Sequence, residues 1–163
     1  MSDNSAFKKP NVGERIGMVL SNTIAAVIVL NVVFIFLGGK RIIEPPFAQW
    51  AAAHGAVEWN PLVLLTPGAA IGFGWLRYTL IMNGRLRGVS WTTGVLHGVM
   101  LALANVPLAG FLLGLLNENP LMGLLFGLAS LLLMPSLLIS MGTFGVLMGL
   151  FNAMKAEKFL ARK

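Results

Sequence analysis

Four apolar stretches separated by short polar breaks dominate the chain between Gly17 and Phe151. They run over Gly17–Gly38, Leu62–Asn83, Trp91–Leu116 and Leu121–Phe151, and each reaches the length of about 20 helical residues needed to cross a bilayer. The predicted fold class is an all-α membrane protein, a four-helix transmembrane bundle with N-in/C-in topology. The fourth stretch, at 31 residues, would extend roughly 46 Å as one upright helix. Tilt, a kink at Pro135 or emergence into water is expected to absorb the excess. The first stretch is too long for the apolar region of a signal peptide. No small-residue cleavage pattern follows it in Phe36-Leu37-Gly38-Gly39-Lys40, so it is read as an uncleaved span. Residues 1–16 and 152–163 are the expected tails, with residues 17–151 as the spanning domain.

The placement of Lys and Arg gives the expected orientation. Lys8, Lys9, Arg15, Arg85, Arg87, Lys155, Lys158, Arg162 and Lys163 fall on one side. Lys40 and Arg41 fall on the other, and Arg77 lies within the second span. Acidic residues divide evenly, so both termini are predicted to be cytoplasmic.

The first external loop, Gly39 to Pro61, contains Pro45-Pro46, suited to starting a helix, and Gly55, suited to ending one. Phe47, Trp50, Ala51 and His54 fall at helical spacing between them, which predicts a short interfacial helix; a lid or docking surface is the competing reading. Trp50, Trp59 and Trp91 are expected at headgroup level. Lys155, Lys158, Arg162 and Lys163 belong to a basic tail that continues the last helix onto an anionic cytoplasmic leaflet.

Glycines recur four residues apart inside the spans: Gly68/Gly72, Gly94/Gly98, Gly110/Gly114, Gly123/Gly127 and Gly145/Gly149. Gly17, Ser21 and Ala25 make a similar face on the first span. Such small-xxx-small faces let helix backbones approach closely. They predict tight bundling within the chain, with some faces left for a homo-oligomer or a larger membrane complex.

Two polar layers cross this pattern. Pro67, Pro107 and Pro135 each lie about 16 residues from the cytoplasmic end of their span, roughly 24 Å along it, near the level of Asn31, Asn105 and Ser136. The prolines free the carbonyls of Val63, Leu103 and Leu131, which the Asn and Ser side chains are expected to satisfy; a polar cavity is the functional alternative. Nearer the cytoplasm, Arg77 and His97 sit about six residues inside their spans, with Asn22 and Thr143 at similar depth. Arg77 is expected to snorkel to the headgroups, and His97 to point inward. Asn22 lies off the Gly17/Ser21/Ala25 face, which argues against one convergent cluster.

Composition agrees with this reading and narrows the chemistry. The 163 residues are 56% hydrophobic and 11% charged, with a mean hydropathy of +0.80, well short of the roughly 25% charge of a soluble domain. The net charge of +6 records topology, and no nucleic-acid partner is expected. There is no cysteine, no acidic residue inside a span, and only His54 and His97, on opposite sides. No metal, cofactor or enzymatic activity is therefore expected. An accessory or structural subunit, packing against itself or other membrane proteins, is the leading functional expectation. A channel or transporter for a small solute or lipid is the alternative, with Arg77, His97, Asn31, Asn105 and Ser136 as pathway residues. A bacterial inner membrane is the default location.

Overall fold

Helix α1 (Val12–Val33) begins at a capping box: the Asn11 carboxamide accepts from Glu14 N, and the Glu14 carboxylate accepts from Asn11 N, both at 2.8 Å. The helix thus starts five residues before Gly17 and runs on through a π-helical turn, Phe34–Gly38. The computed structural model describes residues 10–38, 61–84, 88–116 and 118–161. The expected interfacial helix with Trp50, His54 and Trp59, the cations of the loops, and Arg162 and Lys163 lie outside the described residues.

Four further helices follow: α2 (Pro61–Asn83), α3 (Trp91–Leu116), α4 (Pro120–Leu133) and α5 (Pro135–Leu160). Among the described residues there is no strand. Between α2 and α3, Gly88 adopts a φ of 77°, a left-handed conformation that suits glycine. Between α3 and α4, Glu118 takes φ 57°, after which Asn119 caps α4 through Met122 N and Pro120 occupies its first turn.

The fourth apolar stretch is two helices, not the single one expected over 121–151. Met134 stands between them at φ −122° and ψ 83°. The ring of Pro135 disfavours helical geometry in the residue before it, and α5 then starts with that proline in its first turn. Pro67 and Pro107 lie inside continuous helices. As the basic tail pattern implied, α5 continues past Phe151 to Leu160.

Helices α1 to α3 pack antiparallel in sequence order, and α4 and α5 both lie along α3. The α3 stripe Gly94, Gly98, Ala102, Asn105, Ala109, Gly110 and Gly114 is buried. Its first half meets α5 and its second half meets α4. A Cβ on Gly94 would lie 2.9 Å from Gly149 O, and one on Gly110 would lie 2.9 Å from Gly127 Cα. More than twice as many residues separate Gly127 from Gly145 as separate their partners, Val106–Pro107 and Gly98–Val99, on α3. The break at Met134 therefore lets one chain segment dock twice on the same stripe.

The outside of the bundle is apolar. Val12, Ile16, Leu20, Ile24, Ile28 and Val32 repeat every four residues along α1 and all are exposed; Leu121, Leu125, Leu128 and Leu132, at spacings of three and four, form an exposed face on α4. Val12–Leu37, Trp91–Leu116 and Pro135–Leu160 are long and apolar enough to cross a membrane, which is compatible with an integral membrane protein. Helix α2 is not among them: Arg77, Pro61, Pro67 and Asn83 dilute its apolar content. Its backbone also accepts cross-helix hydrogen bonds from Asn22, Thr23 and Asn105.

Candidate functional site

The interior polar side chains converge on α2. Asn22, fully buried, donates its Nδ2 to the Phe73 carbonyl, and Thr23 donates to the Ala70 carbonyl at 3.2 Å. Gly74 makes this possible, because a Cβ there would lie 2.8 Å from Thr23 Oγ1. On the other side of α2, Asn105 donates to the Leu65 carbonyl at 2.7 Å, and a Cβ on Gly68 would collide with its carboxamide. The glycine at position 68 is thus the recess that Asn105 fills.

Arg77 lies next to the first of these contacts. Its Nη2 donates to Asn22 Oδ1 at 3.3 Å and its Nη1 to Ser21 Oγ at 3.4 Å, while its guanidinium stacks 5.3 Å from the centre of the Phe151 ring. Nε is buried without a partner. The expectation that Arg77 snorkels is corrected: only 9% of the residue is exposed. The reason is the direction of helical side chains, which lean toward the N-terminus of their helix. On α2 that direction leads away from the nearer end of the bundle and toward Asn22.

His97 remains apart from this cluster. Its Nδ1 lies 2.8 Å from the Thr93 carbonyl one turn back. A carbonyl only accepts, so Nδ1 carries the proton there. Asn31 likewise bonds within its own helix, donating to Val27 O at 2.8 Å, as Asn152 does to Met148 O. Neither Asn31 nor Asn105 meets the carbonyl that proline chemistry had nominated; Asn105 reaches Leu65, two residues beyond Val63. The hydroxyls of Ser136 and Ser140 are buried with no partner, as are Asn105 Oδ1 and Asn152 Oδ1. The outer layer therefore does not close into one network, whereas Arg77, Asn22 and Ser21 do come together.

Exposed Trp91 donates its Nε1 to Glu157 at 2.9 Å, tying the start of α3 to the end of α5. Lys155 places Nζ 5.7 Å from the centre of the Phe151 ring, the same ring that Arg77 covers. Lys158 is exposed in the last turn of α5. No three metal-ligating side chains come together among the described residues.

Sequence reasoning gave too little weight to Asn22 and missed Phe151 and Gly74. The buried face of α1 is Asn22, Ala26, Leu30 and Val33, not Gly17, Ser21 and Ala25. The four-residue repeat Asn22/Ala26/Leu30 was present in the sequence as the signal for it. No protein-family model matches the chain, and neither a curated protein nor a solved structure shows detectable similarity to it.

Proposed function

We propose that this chain is a four-span integral membrane protein serving as an accessory or structural subunit, with both termini cytoplasmic in a bacterial inner membrane. In this reading α1, α2 and α3 each cross once, and α4 with α5 forms a fourth crossing interrupted at Met134. Helix α2, 23 residues or about 35 Å long, joins the spans because its one charge is turned inward. Exposed cations on the last turns of α5 would meet anionic lipid. The partners are lipid and either a second copy or another membrane protein; the Gly17 and Ser21 positions of α1 are uncovered and supply a small-residue surface for such packing.

One observation carries the structural role. The interior amides of Asn22 and Asn105 end on backbone carbonyls of the neighbouring helix, and Gly68 leaves the recess that Asn105 fills. Polar groups so used lock a seam, because a buried amide without partners would cost several kcal/mol in lipid. The channel or transporter reading draws instead on the unpaired Ser136, Ser140 and Asn105 oxygens.

Cysteine at Asn105, in this cysteine-free chain, separates the two. The accessory reading expects it to resist a membrane-impermeant maleimide in intact vesicles from either side. Labelling as fast as that of a cysteine at exposed Lys158 would mean a wet pathway and would sink the structural reading.

A further inference from the structure

Arg77 is a buried cation with no counter-ion among the described residues. Guanidinium presents five N–H donors. Here two are engaged, at 3.3 and 3.4 Å, longer than ordinary N–H···O bonds, and Nε has no acceptor. Glu14 closes the cap of α1 and Glu157 accepts from Trp91. Among the described residues no carboxylate pairs with Arg77. A second cation adds to the imbalance, since Arg77 and Lys155 approach the same Phe151 ring. Both lie at the end of the bundle where α1 starts and α5 finishes.

The cluster also has an opening. Ser21, which holds Nη1, is exposed on the flank of α1, and one turn away a Cβ on Gly17 would meet nothing within 4 Å. Small residues at 17 and 21 leave the exterior of α1 uncovered beside the hydroxyl that accepts from Nη1. An uncompensated charge inside a membrane helix is costly and calls for a partner. The planar fork of arginine matches two oxygens of a phosphate group, and hydrogen bonds between such charged groups are the strong kind.

We propose that Arg77, with Ser21, forms a binding site for a phosphate oxyanion, supplied by a phospholipid headgroup or by free phosphate. Asn22 positions the guanidinium from behind, and Phe151 floors it. The site goes beyond the packing role proposed above and does not depend on it. A protein with a purely structural function could still hold a lipid here, and a protein without that function could too.

The test uses the purified full chain in a neutral detergent at fixed ionic strength. Thermal unfolding is followed during separate titrations with phosphatidylglycerol, phosphatidylcholine and sodium phosphate. The wild-type protein is expected to be stabilised by phosphatidylglycerol, by phosphate or by both, and more weakly by phosphatidylcholine, whose phosphate is partly neutralised by its choline. Stabilisation by phosphatidylglycerol alone identifies the headgroup as the source, and stabilisation by phosphate shows that the free oxyanion suffices. Arg77→Met should weaken the effective anion by about tenfold or more. Should that variant fail to fold, Arg77→Lys keeps the charge but loses the fork, and about tenfold weakening is again expected. No response to either anion, or equal affinity in wild type and the folded Arg77 variant, overturns the assignment.

Discussion

Gly98→Val is expected to destabilise the bundle by about 3 kcal/mol or more, at the upper end of overpacking effects. A Cβ at position 98 would press on Gly145 O and lie 2.8 Å from Gly149 Cα and 2.9 Å from Gly149 N. All three are backbone atoms, so no rotamer change can relieve the clash and α5 must move as a body. Moving α5 would in turn disturb Phe144, which stacks edge-on against Phe73 at 4.8 Å, and thus the contact between α5 and α2. The same substitution at Gly17 or Gly142, where a Cβ meets nothing within 4 Å, should change stability by less than about 1 kcal/mol, the scale of helix propensity alone. Unfolding in mild detergent, followed by circular dichroism, checks the contrast. Equal losses at positions 98 and 17 would show that the α3–α5 seam is not held by its glycines.

The second large effect concerns the polar core. Asn22→Leu removes the one amide that both bonds α2 and accepts from Arg77, and should cost about 2 kcal/mol, typical of a lost hydrogen bond to a charged group. Arg77→Met alone should be neutral or stabilising by about 1 kcal/mol, because it removes a charge that is buried with incomplete compensation. The double variant should then be clearly more stable than Asn22→Leu, since the stranded cation is gone. Two sites acting independently would add to within about 0.5 kcal/mol, and that result would contradict the contact. The cycle also complements the anion experiment: Arg77→Met is expected to hold or gain intrinsic stability while losing the stabilisation that an anion confers.

These contrasts also show what the sequence made legible. The glycine pairs at four-residue spacing identified which faces would pack, because only small residues permit backbone contact. They did not say that Gly94 and Gly98 meet α5 while Gly110 and Gly114 meet α4, because pairing depends on the break at Met134. Pro135 marked the place of that break, but Pro67 and Pro107 carry the same local chemistry and lie inside continuous helices. For Arg77, depth along the helix was readable and side-chain direction was not applied: an arginine near the C-terminal end of α2 leans inward. Asn22 was set aside by choosing the wrong face of α1, although its spacing to Ala26 and Leu30 marks the buried one. Depth alone puts Asn31 and Ser136 in one expected layer with Asn105, and His97 in another with Arg77. Equal depth on different helices does not bring side chains together, and here His97 and Asn31 bond their own backbones.

The central claim is that the exposed faces of these helices are apolar because lipid surrounds them. Nitroxide labels placed singly at Leu20, Ile24, Ile28 and Val32, in protein reconstituted into phospholipid vesicles, test this most directly. Embedding predicts that all four collide readily with oxygen and weakly with a water-soluble nickel complex, with the oxygen preference rising toward the bilayer centre. Strong nickel access along this stripe, comparable to that of a label at Lys158, would contradict it.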